Sequence, residues 1–473
     1  MAVILALVAL VVVGLPLAYV VTRDLVVAAV LAPLVTALQC AAAAVAMLLV
    51  GGPFGLWMIL ITVAAWGAAG LLVRRARSPM PPLGVVDLVV MYVPLLLPAL
   101  LVRRPPVAWD ARSIWWFHAS WIEGGPGALR DALANPALAY SHPDYPPLVP
   151  ATIAGAWTST GGSGLWIAQA VSTVLTLSAV AMLAYAVRHL VPTARPMVAR
   201  LLALGVALGL WATADYGVAA GYVDHLWAAA LAAAVALLFI GGSIIDADGS
   251  PGHGRGGHLA LAVLLATVAA LTKNEGLVAA GMVAVLFTVR ARHHLHRAAW
   301  MWLPVAAGLA WAMVARGFGA TSDLSSSPRI GQLTGGDLEP LGRIPRTLTT
   351  FGGHVGWVLA GALVVSVIGA ISLRRSRRTI GLVSDLWPWL VIVGFGIGLL
   401  ATYVISPYEI GWHLATSADR VGVLLLLVAL TIVASWVLVA IEPAPGADPP
   451  RPPKVRERRI DAEAPSEGVR VGW

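Results

Sequence analysis

Cysteine occurs once in this chain, at Cys40. One cysteine excludes an intramolecular disulfide and any cysteine-based metal site. Charge is also scarce: Asp, Glu, Lys and Arg make up 11% of the 473 residues. Lysine is nearly missing, with Lys273 and Lys454 set against 29 arginines. Lys454 lies close to the C-terminus, so Lys273 is the one internal lysine of a chain that otherwise uses arginine. The first apolar run, "MAVILALVALVVVGLPLAYVV", has no basic stretch before it and no small-residue cleavage signature, so it reads as a retained span rather than a signal peptide.

What remains is apolar: 59% of residues, with a mean hydropathy of +0.84. A soluble core does not need that imbalance, and a multi-span membrane protein does. Runs long enough to cross start near residues 1, 25, 54 and 83. Others cover 164–187, 198–214, 225–245, 258–272, 275–290, 298–315, 354–372, 383–405 and 420–441. The net charge of +8 sits in short clusters: 74–78, 188–200, 290–297, 374–378 and 451–459. Such clusters are topology signals that stay in the cytoplasm, and they do not point to nucleic acid. The expected fold is all-α, a polytopic transmembrane helical bundle of about 13 spans. Its regions are N-terminal spans (1–102), a large outward loop with interfacial amphipathic helices (103–145), a membrane core (146–441) and a disordered cytoplasmic tail (442–473). Residues 146–160 read as a half-helix, and 246–257 as a flexible cytoplasmic linker.

The unusual polar residues fall in the expected outward loops. In "VAWDARSIWWFHASWIEGG" (107–125), a helix over 109–123 puts Arg112, Ser113, Ser120 and Glu123 on one side, with Trp109 and Trp116 among them. Asp110 and His118 fall in the apolar half, with tryptophans expected at headgroup depth. Asp110 reads equally as a helix cap or a functional acid, and His118 as a hydrogen-bonded interface histidine or a ligand contact. In "YSHPDYPPLVP" (140–150), the prolines hold His142, Asp144 and Tyr145 on a rigid strip; Asp144 reads either as a contact or as a cap.

In "ADYGVAAGYVDHLW" (214–227), Asp215 and Asp224 bracket a short turn. Asp224 reads foremost as an N-cap. With His225 the two acids have donor types for a divalent cation, but this segment lacks metal-site spacing, so no cofactor is expected. In "LTKNEGLV" (271–278), Lys273 and Glu275 lie between apolar runs too short for comfortable spans, a pattern of membrane-depth binding sites or of a self-neutralising turn. In "YVISPYEIGWHLATSADR" (403–420), Arg420 and His413 share a helix face. Arg420 suits an anionic headgroup, or pairs with Asp419 or Glu409.

Taken in order, "WDA", "HPDYPPL", "GYVD", "TKNEG" and "PYEIGWHLATSADR" resemble the GT-C superfamily of membrane glycosyltransferases, in the branch related to bacterial protein-mannosyltransferase-like enzymes. The resemblance spans residues 105–420 and leaves out 1–75. It implies a polyprenyl-phosphate sugar donor, a lipid, glycan or protein acceptor on the outer face of the plasma membrane, and inversion at the anomeric carbon. It also implies an essential aspartate in the first outward loop, matched by Asp110. Arg112, His118, His142, Asp144, Tyr145, Asp224, Lys273, Glu275, His413 and Arg420 are the candidate substrate contacts. In that family the catalytic loop often follows the first span, whereas three extra spans precede it here.

The residues themselves allow this chemistry. A sugar on a lipid phosphate carries its own leaving group, so cations for the phosphate and one base for the acceptor suffice. The rival is a transporter or lipid flippase, which would also use broken helices and intramembrane charge. It would show an internal repeat, and none is visible; a non-catalytic scaffold would not need the Lys273–Glu275 pair.

Overall fold

The computed structural model describes residues 1–73, 80–96, 108–190, 195–212, 219–239, 256–322, 327–375 and 386–441. Regular structure in these residues is entirely helical. Eight helices are long and apolar enough to cross a membrane: Ala2–Thr22, Leu25–Val50, Phe54–Leu72, Leu165–Arg188, Leu295–Gly317, Glu339–Ser372, Leu386–Ile405 and Ile410–Ile441. Several turn their apolar side chains outward. Trp357 is 85% exposed, and Ile59, Val63, Ile368 and Ile397 are exposed with it. In water such faces would be costly, and against lipid they are the expected outer surface. The chain is a multi-pass membrane protein.

The expected count of about 13 spans divides differently. Four of the expected spans form helices of 13 to 17 residues: Pro196–Leu208, Asp224–Phe239, Gly256–Thr272 and Asn274–Arg290. At 1.5 Å per residue they reach only about 20–26 Å, short of a hydrocarbon core of roughly 30 Å. Asp224–Phe239 is an interior helix with every residue buried except Leu237. It packs against Leu165–Arg188, Gly256–Thr272 and Val423–Ile441. Its composition, Ala-rich and apolar all round, leaves no face to turn toward water.

Close helix packing relies on small residues. A Cβ on Gly14 would lie 2.1 Å from the carbonyl oxygen of Ala32, so the first two helices touch backbone to backbone. Between Gly256–Thr272 and Asn274–Arg290 the chain turns back at a single extended residue, Lys273 (φ −156°, ψ 154°). Gly276 makes this turn possible, since a Cβ there would sit 2.2 Å from the oxygen of Ala269. At another point Asp87 accepts from Arg200 at 2.7 Å and Arg188 at 3.3 Å, tying the segment from Val85 to two helices.

The 109–123 stretch departs from a plain amphipathic helix. A π-helical turn, Ala111–Trp115, precedes the α-helix Trp116–Glu123. The wider turn shifts the register, so Trp116, expected on the polar side, is buried at 3% exposure. Trp115 and Trp121 are buried as well, against the helix Leu148–Thr160 and its surroundings. Of the four tryptophans expected at headgroup depth, only Trp109 is exposed. Asp215, most of the 246–257 linker, and the tail from 442 lie outside the described residues.

Candidate functional site

Five breaks in the helices meet at one place. Asp110 opens the π-helical turn, and Asp224 opens the interior helix. Lys273 is the single-residue turn just described, with Glu275 in the first turn after it. Arg420 ends the helix Ile410–Val421. A fifth piece, His142–Tyr145, follows a short 3₁₀ helix, with His142 in the left-handed region (φ 54°).

These side chains form an alternating ion network. Arg420 Nη1 lies 2.5 Å from Asp110 Oδ2 and 3.5 Å from Asp224 Oδ2. Lys273 Nζ lies 2.8 Å from Asp224 Oδ1 and 3.3 Å from Glu275 Oε1. Asp224 is 1% exposed and Lys273 4%, so their mutual charge keeps both ionic in the interior. Arg420 is fixed further: Nε and Nη2 donate to the carbonyl of Thr416, and the guanidinium lies 4.4 Å from the ring centre of Tyr222. Burial pushes the Tyr222 phenol above its ordinary pKa, so it stays a neutral ring beside the cation. Glu275 Oε2 is buried and has no hydrogen-bond partner among the described residues.

The network lies on the wall of a cavity of about 720 Å³. Its lining includes Asp110, His142, Tyr145, Lys273, Glu275, His413 and Arg420. Exposed Trp109, Tyr140 and Trp412 stand among its lining residues. A smaller cavity, about 120 Å³, shares His142, Tyr145, Glu275, Tyr408 and His413 with the first. It continues past Asp144 and Asn274 along Val278, Phe395, Gly398 and Leu399.

The sequence explains the local geometry. Glu409 caps the helix Ile410–Val421, accepting from the backbone N–H groups of Gly411 (2.8 Å) and Trp412 (2.6 Å). From that start, His413, Thr416, Ser417 and Arg420 recur at helical spacing and face one cavity. His413 Nδ1 is held by Ser406 Oγ at 2.8 Å. Arg343 donates to the carbonyls of Tyr403, Ser406 and Tyr408, which fixes the turn before that helix. Tyr145 is clamped between Trp115, stacked at 5.5 Å, and His142, at 4.8 Å. Burial raises its phenol pKa well above the ordinary value.

Several expectations change. Asp110 makes no cap hydrogen bond, and its carboxylate goes to Arg420. Asp224, read foremost as a cap, spends its two oxygens on Lys273 and Arg420. Asp144 does not cap the helix Leu148–Thr160; it accepts from Asn274 Nδ2 at 2.7 Å. Arg420 does not pair with Asp419 or Glu409: Glu409 meets Arg346 instead, at 3.7 Å. Two candidates fall outside the cavities. Arg112 is exposed and lines neither. His118 is buried behind the loop, 3.2 Å from Ser141 Oγ and stacked on Trp121 at 4.0 Å. Burial holds its pKa down to about 3.

Sequence reasoning missed Tyr222, Asn274, Tyr408 and Trp412, although all four stand inside quoted motifs. Their signal in the sequence is adjacency to charged residues. Among the described residues no group of three or more His, Cys, Asp or Glu is arranged to hold a metal ion. No family model, curated protein or solved structure matches the chain.

Proposed function

We propose that the protein is an inverting membrane glycosyltransferase. It moves a sugar from a polyprenyl-phosphate donor to an acceptor hydroxyl on the outer face of the plasma membrane. The observation that carries this reading is the meeting of Asp110, Lys273 and Arg420, 310 residues apart at the extremes, on one cavity wall. A scaffold has no need for that convergence. The cavity's size falls within the range of small-molecule sites, roughly 300–1,000 Å³.

In this reading Lys273 and Arg420 face the donor phosphate and stabilise the charge that grows on it as the sugar leaves. Asp110 takes the proton of the acceptor hydroxyl. The acceptor oxygen bonds to the anomeric carbon from the side opposite the phosphate. The bond from that carbon to the phosphate oxygen breaks with its electron pair, and polyprenyl phosphate departs. No acid is needed for the leaving group, unlike hydrolysis of an ordinary glycoside. Glu275, on the wall of both cavities, accepts from a sugar hydroxyl. The smaller cavity, with Val278, Phe395 and Leu399 on its wall, takes the first part of the prenyl chain.

The test is a transfer assay on purified protein in lipid, with a panel of radiolabelled polyprenyl-phosphate sugars and a membrane extract as acceptor. One sugar of the panel should transfer, and the rate should fall by roughly 10²-fold or more in Asp110→Asn. Absence of transfer from the whole panel, together with uptake of any of these lipids across a sealed bilayer, would replace this reading with a flippase. The outward assignment has its own check. In a Cys40→Ser background, cysteines at Tyr140 and Trp412 should react with an impermeant thiol reagent in intact cells.

A further inference from the structure

The ion network contains more negative charge than positive. Among the described residues, Asp110, Asp224 and Glu275 are balanced by Lys273 and Arg420, and Asp419 adds a further carboxylate to the same cavity lining. An anion entering this cavity meets a wall of net negative charge. It gains a cation only by taking it from a carboxylate.

The five groups differ in how easily each can give way. Asp224 is 1% exposed and held from both sides, by Lys273 at 2.8 Å and Arg420 at 3.5 Å. Arg420 is tied to the carbonyl of Thr416 through two nitrogens and covered on one face by Tyr222. Lys273 is enclosed, at 6% side-chain exposure. Glu275 is the most exposed of the five, at 22%, but it pairs with Lys273. Of the two carboxylates on Arg420, Asp110 is the more open: its side chain is 17% exposed against 1% for Asp224, it lines the cavity, and its one partner among the described residues is Arg420 Nη1. The π-helical turn that it opens contributes no cap bond to hold it.

We propose that Asp110 is a displaceable counter-ion: a phosphate ester entering the cavity takes its place on Arg420, while Asp224 stays and positions both cations. The inference rests on the glycosyltransferase reading and adds an order of events to it. Before the ligand binds, the Asp110 carboxylate is occupied by Arg420, 2.5 Å away. Once phosphate occupies Arg420 Nη1, Asp110 loses its cation and its oxygens turn free to accept a proton. The same exchange that seats the donor thereby arms the base.

The idea makes an unusual demand on one substitution. Asp110→Asn keeps the size of the side chain and removes the competing charge, so it should bind phosphate esters more tightly than the parent while losing catalysis. We would measure calorimetric binding of farnesyl phosphate, farnesol and inorganic phosphate to the full-length protein in detergent. The variants are Asp110→Asn and, as a second variant should the first not stay monodisperse, Asp110→Ser. Farnesyl phosphate should bind about tenfold more tightly to the variant, the scale of one charge-assisted contact. Farnesol should be unaffected. In the transfer assay KM for the donor should fall together with kcat, which loss of a merely structural residue would not produce. An equal gain for inorganic phosphate would support the exchange and assign it to the phosphate group without the lipid. Unchanged or weaker binding of farnesyl phosphate in both variants, with the parent binding it, would overturn the exchange alone. Failure of parent and variants to bind any phosphate would overturn the donor assignment with it.

Discussion

Lys273 Nζ and Asp224 Oδ1 lie 2.8 Å apart, joined across 49 residues of chain and buried almost completely. This pair is the fixed centre of the site, because each partner also reaches a third group: Glu275 from Lys273 and Arg420 from Asp224. Breaking it from one side leaves a buried charge, which typically costs about 3–5 kcal/mol. Asp224→Asn should therefore destabilise the protein by about 3 kcal/mol, at the low end of that range because Glu275 and Asp110 remain beside the two cations. The double variant Asp224→Asn, Lys273→Met should recover part of the loss. Unfolding in mixed detergent measures both, and an additive double variant would show that the two residues do not interact.

Lys273 also has a charge to offer a ligand. Lys273→Ala should weaken binding of the polyprenyl-phosphate donor and slow transfer, and Lys273→Arg should restore part of both if charge is what matters. Donor titration of the three proteins decides this. Parent-like turnover in Lys273→Ala would remove the phosphate role from this residue.

Asp110→Asn separates a base from a counter-ion that serves only structure. With the base role, the rate of transfer falls by roughly 10²-fold or more while expression and fold persist. Single-turnover transfer from a saturating donor is the measurement. Parent-like rates would leave Asp110 as a structural partner of Arg420.

His118 gives the protein a predictable response to acid. Burial holds its pKa down to about 3, against 6.5 for the free side chain, so between these values the folded state binds fewer protons than the unfolded one. Its contribution to stability is complete above about pH 6.5 and is lost as pH falls toward 3. Melting temperatures of the parent should drop more steeply below pH 6.5 than those of His118→Asn. Parallel pH profiles would mean that protonation of His118 does not limit the fold.

The motifs that carry the candidate site were legible in the sequence because chemistry here is rare. One internal lysine, an aspartate at the edge of an apolar chain and an arginine at a span start stand out where only 11% of residues are charged. The helical spacing from His413 to Arg420 was readable for the same reason: Glu409 starts a regular helix, and periodicity then fixes its face. Arg112 and His118 were less separable. They sit in the same polar-aromatic stretch as Asp110, and the π-helical turn that reorders its sides leaves no mark in composition.

Composition determined that this chain is helical and crosses a membrane several times, since apolar length and scarce charge leave no other way to satisfy the backbone. It also determined which side chains are costly to bury and therefore need partners. It did not determine who the partners are. Asp110, Asp224 and Arg420 each read locally as a cap or a pair with a near neighbour, because local sequence offers only local partners. Tertiary structure overrode those readings by bringing helix ends from five distant segments to one place, where the strongest available contacts are between opposite charges 49 to 310 residues apart. The same packing decided where apolar runs end as short helices, for length in sequence does not say where a neighbouring helix lets the chain turn back, as Gly276 does beside Ala269.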